Sequence, residues 1–538
     1  MKKIRILLVL IIAALATSSC DNWLNLTPTS GVARDDYWKT KEDVASFTTG
    51  LYSGLVGSDV SLKMWLWGEM RADMINTGTW NNSNLTLIKE GEITENNAYC
   101  NWASFYTIIN DCNTLLKYAP GVKNNDNSFT QTALEEYEAQ AVAIRSLMYF
   151  YLIRNFGDIP YTTTAYTDDT QNFDIAKSDK DSVLTKVISD MEGWVEKLPT
   201  SYSTSTAAYN KGKMTRYAGY ALLADMYLWK ENYQKTIDYC DKIVSSGQYA
   251  LIPVAKGTEV VTDEDTQEID TVTYATTAGA ESLYTNLYVN GNSTESIFEL
   301  QFASDNLNPF YDWFATSPHS YVIPNSDFIN DELFPSATVG SSISQDIREK
   351  ICSANNSVWK YSGLALNDKT VRTSTQMTNH LIVYRLAEIY LMRAEAENQL
   401  AASMTGDAQQ AEIAEALADV DVVRSRSNAV DATDITRSSQ MSVSMVEEFI
   451  LEEEAREMAF EGKRWYDVLR NAKRNSYAHL HYLTDMCIYS TTSDKVYSLQ
   501  AKYNNHNSHY LPIYINDMKS NSLLVQNSFY ADESTTSK

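Results

Sequence analysis

Long stretches of helical periodicity recur along this chain of 538 residues, and they constrain its fold more than any other feature. The clearest stretch spans residues 135–156, where Ala139, Val142 and Leu147 fall on one face of a helix. The run Gly157-Asp158-Ile159-Pro160 ends this helix, because neither glycine nor proline continues it well. Similar stripes cover residues 42–55, 98–119 and 179–198. The pattern predicts a mainly α protein.

Paired helical stripes form a second pattern. Leu223, Ala224, Tyr227 and Tyr239 place small and aromatic residues as a tetratricopeptide helix-turn-helix does, and Ala224 lets two helices approach closely while the tyrosines fill the gap. Further units follow within residues 386–426 and 449–462. A regular solenoid repeats about every 34 residues without large insertions. These distant pairs must therefore pack around or beside something else.

The segment from about residue 251 to 368 differs in composition and separates the helical pairs. It is rich in Thr, Asn, Ser and aromatic residues, and alternating runs at 271–274 and 296–300 predict short strands between long loops. The acidic stretch 262–270 is interpreted as the tip of a hairpin. A calcium loop is the alternative for this stretch, but the glycine of an EF-hand loop is missing.

The N-terminus carries an export signal. Lys2, Lys3 and Arg5 precede an apolar run at residues 6–16, which is shorter than the roughly 20 residues of a membrane-spanning helix. Small residues then lead to Cys20, the pattern of a lipoprotein signal peptide over residues 1–19. Diacylglyceryl and N-acyl chains on Cys20 would supply the two hydrophobic signals that stable anchoring needs. A plain secretory peptide is the alternative.

Charge excludes some classes of partner. The chain has a formal net charge of −25, and removal of residues 1–19, which hold three positive charges and no negative ones, gives −25 − 3 = −28. Such a surface repels phosphate backbones and anionic lipid heads. We therefore expect no nucleic acid ligand and no contact with the membrane except through the lipid.

Cysteine and histidine spacing indicates neither a disulfide framework nor a metal site, and we expect no cofactor. Apart from Cys20, the cysteines are an odd set without a C-x-x-C pair, and buried small apolar residues are the expected role for them. They are Cys100, Cys112, Cys240, Cys352 and Cys487.

Separated motifs along the chain together resemble one family. They include residues 20–28 after the signal peptide, Phe156-Gly157-Asp158-Ile159-Pro160, and residues 390–396. Phe460-Glu461-Gly462-Lys463-Arg464-Trp465 and Tyr510-Leu511-Pro512-Ile513 complete the set. In this order they resemble the SusD/RagB family of nutrient-binding outer-membrane lipoproteins of Bacteroidetes. One departure is Thr17, three positions before Cys20, where bacterial lipoboxes favour leucine.

The resemblance implies an architecture and a partner. It implies an α-rich fold in which four tetratricopeptide-like helix pairs cradle an irregular, loop-rich half that holds the ligand site. It also implies a SusC-like TonB-dependent transporter, which the lipoprotein caps at the cell surface. We expect a lipidated tether at residues 20–34 and one SusD-like domain at 35–538. Within that domain the helical scaffold would cover about 35–250 and 380–475, with a ligand-binding insertion at about 251–370.

The charged residues near the Phe460–Trp465 motif are interpreted as structural. Glu457, Glu461 and Arg464 follow one another at spacings of four and three, and Arg456 is adjacent to Glu457, so the four could pair along one helix, while Phe460 and Trp465 pack inward. A catalytic role for the adjacent residues 452–454 is the alternative. Neighbouring helical positions point in different directions, which opposes an acid/base pair there.

Candidate ligand-binding residues lie in loops outside the helical pairs. The chain has 35 Tyr against 15 Phe, and rings with a polar edge suit stacking on sugars. One candidate loop supplies Asp73, Trp80, Asn81 and Asn82, whereas Trp65 and Trp67 beside it are expected in the core. The other loop supplies a second set, with Trp80 and Trp313 as the leading candidates overall: Asn292, Tyr311, Trp313 and Tyr321.

Three functions compete on this sequence. The first is capture of oligo- or polysaccharides for a transporter without any chemistry. The second is capture of peptides by the same architecture, which the acidic charge would favour for cationic peptides. The third is a lipid-anchored glycoside hydrolase, which needs two carboxylates about 5 to 9.5 Å apart across a cleft. No nucleophile motif supports the third.

Overall fold

The structure is a computed structural model that describes residues 37–168, 170–203, 205–262, 269–315, 320–335, 346–429 and 433–534. Helices dominate the part before residue 250. They are α1 (Lys41–Leu55), α2 (Ser58–Glu69), α3 (Ser83–Lys89), α4 (Ala103–Asn125), α5 (Gln131–Phe156), α6 (Lys180–Trp194), α7 (Ala207–Lys211), α8 (Arg216–Trp229) and α9 (Tyr233–Val244).

Further helices follow the loop-rich segment, and shorter ones lie within it. The short ones are α10 (Thr277–Tyr284), α11 (Ile347–Cys352) and α12 (Trp359–Ser362). The long ones are α13 (Leu386–Ala401), α14 (Gly406–Ser427), α15 (Val443–Glu457) and α16 (Arg464–Tyr477). The C-terminal part adds α17 (His481–Ser490), α18 (Val496–Tyr503), α19 (Ile515–Ser520) and α20 (Ser528–Ser534). Among the residues that the structure describes, none of the helices combines the length and apolar character needed to cross a bilayer.

Local sequence explains where the predicted helices begin and end. Helix α5 begins at Thr130, whose hydroxyl accepts a hydrogen bond from the backbone of Ala133, and it ends at Gly157, which has a φ of 69°. Helix α4 differs from the prediction at both ends. Residues 98–100 form a separate 3₁₀ turn, and the helix continues through Pro120 to Asn125.

Helical hairpins stack side by side. Helix α4 packs on α5, α8 on α9 and α13 on α14, and α9 also packs on α13, which joins pairs far apart in sequence. Between α8 and α9 the rings of Tyr227 and Tyr239 stack at 5.9 Å with planes 13° apart, and Ala224 is fully buried. The prediction that these residues fill the gap between two helices is confirmed.

Short antiparallel strand pairs build the rest of the fold. β1 (Ile75–Thr77) pairs with β7 (Val322–Pro324), β2 (Ile159–Pro160) with β3 (Lys177–Ser178), and β4 (Lys256–Thr262) with β5 (Ile269–Ala275). β6 (Ser296–Leu300) pairs with β10 (Leu381–Arg385), and β8 (Ser353–Ala354) with β9 (Ser357–Val358). The strands predicted at 271–274 and 296–300 are confirmed. Residues 263–268, at the predicted hairpin tip and calcium loop, lie outside the described residues.

A buried ionic cluster joins the loop-rich segment and β10 to α14 and α15. Arg385, with no exposed side-chain surface, contacts Glu295 at 2.7 Å, Glu457 at 2.6 Å and Glu461 at 2.9 Å. Arg426 bonds Glu295 and Glu457 as well. Removing one partner from such a cluster leaves buried charges uncompensated.

The predicted pairing of Arg456, Glu457, Glu461 and Arg464 along one helix is wrong. Helix α15 ends at Glu457, and the chain turns through Phe460 and Gly462, which have φ angles of 64° and 77°. The charged groups therefore point to different partners: Arg456 to Glu453, Glu461 to Lys360 and Arg385, and Arg464 to Asp73. Phe460 and Trp465 are fully buried, as predicted.

The five described thiols are buried, which confirms their predicted packing role. Burial raises the pKa of both Cys100 and Cys352 to about 12.

Candidate functional site

The first candidate loop is held in place by the Phe460–Trp465 segment. The indole nitrogen of Trp65 donates to the carbonyl of Phe460 at 2.8 Å, and the Glu69 carboxylate accepts from the backbone of Gly462 at 2.9 Å. Backbones approach so closely here that a Cβ on Gly68 would lie 1.8 Å from the Gly462 carbonyl oxygen. Burial raises the pKa of Glu69 to about 8, so its carboxyl is largely protonated at neutral pH.

Asp73 makes a further contact with the Phe460–Trp465 segment. Both of its carboxylate oxygens accept from the guanidinium of Arg464, with the Nη2–Oδ2 distance at 2.8 Å, and the Asp73 side chain is buried. Asn325 donates from its side chain to the Asp73 carbonyl and from its backbone to Met74. Asp73, a predicted ligand-binding residue, thus lies beneath the loop surface with its charge neutralised by a cation.

Strands β1 and β7 bring the two candidate loops together. The ladder extends past β1, because Gly78 and Trp80 donate from their backbones to the carbonyls of Tyr321 and Ser320 at 2.7 and 3.2 Å. A Cβ on Gly78 would lie 2.0 Å from the Ser320 carbonyl oxygen, so only glycine fits at this approach. This pairing places Trp80 beside Tyr321.

Four aromatic rings form what we call the aromatic platform: Trp80, Tyr99, Trp313 and Tyr321. The Trp80 ring meets Tyr321 edge-on at 5.3 Å, and Trp313 lies 5.5 Å from Tyr321 and 5.9 Å from Tyr99. Trp80 is 36% exposed, whereas Trp313 is 6% exposed and also packs against Trp65. Trp80 and the half-buried Tyr321 therefore present the surface, and Trp313 supports it from below.

Two asparagines flank the exposed ring. Asn81 is exposed, whereas Asn82 caps α3 by accepting from the backbone of Leu85 and donates to the Tyr99 hydroxyl at 2.8 Å. Burial raises the pKa of Tyr99, so its hydroxyl stays protonated. The side chains of this region offer aromatic faces together with uncharged hydrogen-bonding groups.

The structure does not bring every predicted residue to the platform. Tyr311 lies in the same π-helical turn as Trp313, Tyr311–Ala315, but packs half-buried against the core. Asn292 belongs to a different polar cluster, where its side chain donates to Gln301 at 3.0 Å and its backbone donates to Glu299 at 2.9 Å. Trp65 and Trp67 are buried in the core, as predicted.

Tyr99 is the platform residue that the sequence reasoning missed. It was assigned to a helix over residues 98–119, whereas it lies in a 3₁₀ turn between Asn97 and Asn101. The Asn97 side chain accepts from the Tyr99 backbone at 3.1 Å. These two flanking asparagines, which favour turns, were the signal for a loop at this position.

Within the described ranges, no three His, Cys, Asp or Glu side chains come together in a group that could hold a metal ion. Two of the histidines have other partners. His479 lies against Glu447, and the buried His509 contacts the Tyr503 carbonyl at 2.8 Å. Burial lowers the pKa of His509 to about 4, so it is neutral at pH 7.

Two family models match this chain. One, described as the SusD family, matches residues 340–530, and the other, described as starch-binding associating with outer membrane, matches residues 22–228. The chain belongs to the SusD/RagB family. Among curated relatives, SusD-like protein P38 of Formosa agariphila is 23% identical over 502 residues, covering 88% of this chain and 92% of the relative.

Solved SusD-superfamily structures share the fold. One from Bacteroides vulgatus has a TM-score of 0.70 at 17% identity and covers 92% of this chain and 100% of its own. Surface glycan-binding protein A from Bacteroides thetaiotaomicron has a TM-score of 0.62 at 18% identity, with 91% and 100% covered. The α-rich SusD-like fold expected from the motifs is confirmed.

Two of the motifs that resemble the SusD family meet in space. The backbone of Leu511 donates to the Asn155 carbonyl at 2.7 Å, directly before the Phe156–Pro160 motif. A Cβ on Gly157 would lie 3.2 Å from the Tyr510 ring. In this SusD-like chain, therefore, the C-terminal motif closes over the end of α5.

Proposed function

We propose that this chain is a surface lipoprotein that captures glycans on the aromatic platform and delivers them, unchanged, to a SusC-like TonB-dependent transporter. The observation that carries the proposal is the exposed Trp80 ring, held edge-on to Tyr321 beside Asn81. Sugar rings stack their apolar faces on such aromatics, and side-chain amides bond the hydroxyls at the ring edges.

The comparisons support a glycan as the ligand class. A solved structure that shares the fold is named as a surface glycan-binding protein, and the family model over residues 22–228 is described as starch-binding. That description also names the outer membrane, which agrees with a lipid anchor on Cys20. Cys20 and the signal peptide lie outside the described residues.

Binding without catalysis is part of the proposal. Glycoside hydrolysis uses two carboxylates about 5 to 9.5 Å apart that face the scissile bond. Asp73, the carboxylate that the first candidate loop offered, is buried and bonded to Arg464. Glu453 and Glu454 are buried on α15 among arginines, and Glu452 points to solvent with 55% of its side chain exposed.

The discriminating variant is Trp80→Ala. If a sugar covers the exposed 36% of a side chain of about 250 Å², roughly 90 Å² is buried, worth about 2 kcal/mol or about 30-fold in Kd. Isothermal titration of the soluble chain against a panel of neutral and acidic polysaccharides would measure it. Tyr497→Ala removes a ring that is 83% exposed on α18 and serves as the matched control. Trp313→Ala is less informative, because that buried ring supports the core.

The outcomes separate the competing functions. We expect at least one polysaccharide to bind, with affinity lost in Trp80→Ala and kept in Tyr497→Ala at equal melting temperature. Binding only from a peptide digest would favour the peptide alternative, and shorter oligosaccharides appearing in the titration mixture would favour the hydrolase. Equal glycan affinity in both variants would refute the platform as the site.

A further inference from the structure

A cavity of about 420 Å³ lies beside the first half of α4, and none of the four aromatic-platform residues lines it. Helix α4, residues 160–166 and 173–175, and the C-terminal residues 517–524 surround it. Its walls include Trp102, Tyr106, Tyr166, Phe173, Asp517 and Leu524. Cavities of this size are typical of small-molecule sites.

Hydrogen bonds fix the walls although they come from distant parts of the chain. The Asn110 amide bonds the backbone of Tyr166 twice, donating to its carbonyl at 2.9 Å and accepting from its N–H at 2.7 Å. On the other side, Asn521 donates to the Ile175 carbonyl at 2.8 Å, and Ser522 donates to Asp174 at 2.6 Å. The cavity is therefore preformed rather than a gap between loose loops.

Four aromatic rings contribute to the wall. Trp102 and Tyr106 meet edge-on at 5.5 Å, and Tyr166 lies 5.3 Å from Phe173. Phe173 is 52% exposed, so part of its ring is open to a ligand. These rings offer faces to an apolar group or a cation.

Several polar groups of the wall already have partners within the protein. The amide of Asn113 donates to carbonyls at 162 and 164, the Tyr106 hydroxyl donates to Pro160, and the Thr107 hydroxyl donates to Ala103. Among the described residues that line the cavity, Asp517 is the one carboxylate, and its Oδ2 is buried without a hydrogen-bond partner. Burial raises the pKa of Asp517 to about 6, so it is still ionised at pH 7.

We propose that this cavity binds a cation on an apolar stem, an ammonium or guanidinium group that bonds Asp517 while its stem packs between the rings. The single carboxylate of the wall favours a charged donor, and ring faces stabilise a cation beside it. A sugar would present several hydroxyls, whereas the amide of Asn113 and the hydroxyls of Tyr106 and Thr107 are already bonded within the protein. This site is independent of the glycan platform.

Phenethylamine and 2-phenylethanol are matched probes, because they share a ring and differ in the terminal cation. We expect titration followed by ligand-observed NMR to show saturable binding of the amine at pH 7.5 and at least about tenfold weaker binding of the alcohol. Asp517→Asn should weaken phenethylamine binding to a similar degree. Asp181→Asn, at a side chain 80% exposed, should leave that binding unchanged. Phe173→Ala should also weaken phenethylamine binding, and Trp80→Ala should leave phenethylamine binding unchanged.

Three results would each overturn the proposal. They are equal affinity for the amine and the alcohol, equal amine affinity of the Asp517→Asn and Asp181→Asn variants, and no saturable binding of the amine. Thermal unfolding of each variant checks that the fold is kept, and Phe173→Ala, at an exposed ring, gives a second test if Asp517→Asn is unstable. N-acetyl-Phe-Lys-amide against its Phe-Gln counterpart distinguishes the source of the cation. Tighter binding of the lysine peptide than of phenethylamine assigns the site to a polypeptide side chain, and the reverse assigns it to a free amine.

Discussion

Glu461 provides a test of the buried ionic cluster, because its charge can be removed while its shape is kept. Its carboxylate accepts from Lys360 at 2.6 Å, from Arg385 at 2.9 Å and from the Tyr288 hydroxyl at 3.0 Å, and 2% of the side chain is exposed. Burial alone would raise the pKa of Glu461, but Arg385 and Lys360 outweigh it and lower the value from 4.5 to about 2.

The lowered pKa sets the expected magnitude. A tenfold change in proton affinity is worth about 1.36 kcal/mol, so a fall from 4.5 to about 2 corresponds to about 3 kcal/mol of stability from the ionised form. We expect Glu461→Gln to lower the free energy of unfolding by about that amount at pH 7. Because the folded-state pKa lies below the unfolded one, this contribution is complete above about pH 4.5 and is lost as the pH falls towards 2.

Urea unfolding of both proteins at pH 7, 4.5, 3 and 2 would measure the difference. The difference in free energy of unfolding between wild type and Glu461→Gln should shrink as the pH falls from 4.5 to 2. Protonation then makes the wild-type side chain neutral, as it is in the variant. Glu452→Gln is the matched control on the same segment, at a side chain 55% exposed, and should change stability by less than about 0.5 kcal/mol. A gap of about 3 kcal/mol that does not vary with pH would refute the electrostatic explanation.

Three further predictions concern the platform, the anchor and the thiols. Gly78→Ala should separate β1 from β7, because its Cβ would lie 2.0 Å from the Ser320 oxygen, and thermal unfolding together with glycan titration should show a lower melting temperature and weaker binding. Cys20→Ser should move the protein from the membrane fraction to the medium in cell fractionation, with loss of the acyl mass. Thiol labelling should leave Cys100 and Cys352 unmodified until urea unfolds the chain, since burial keeps both groups protonated at pH 8.

The sequence predicted the helical part of the fold because helix signals are local. Apolar spacing and the stop at Gly157 define α5 within residues that are neighbours in the chain. The helix predicted to end at residue 119, directly before Pro120, is too short for an equally local reason. A proline near the end of a helix removes one backbone donor, and α4 continues past it for five more residues.

The binding region was harder to predict because its residues depend on distant partners. Asp73 lies among tryptophans in a loop and resembles a sugar-binding carboxylate, but Arg464, 391 positions away, neutralises it. Trp80 and Trp313 have the same residue type in similar loops, yet Trp313 is held beneath Tyr321 by its contact with Trp65. Residues adjacent in the chain predict neither the ion pair of Asp73 nor the burial of Trp313.

The Phe460–Trp465 motif connects the helical scaffold to the binding region. It interrupts the helices with two residues at positive φ, and the resulting turn exposes the Gly462 N–H to Glu69 and directs Arg464 to Asp73. Both acidic residues belong to the segment that leads directly into β1, and β1 ends at Thr77, three positions before Trp80. The position of the exposed ring is therefore determined by the helical scaffold more than by the loop that carries it. A loop attached in this way can vary in sequence at Asn81 while Trp80 keeps its place.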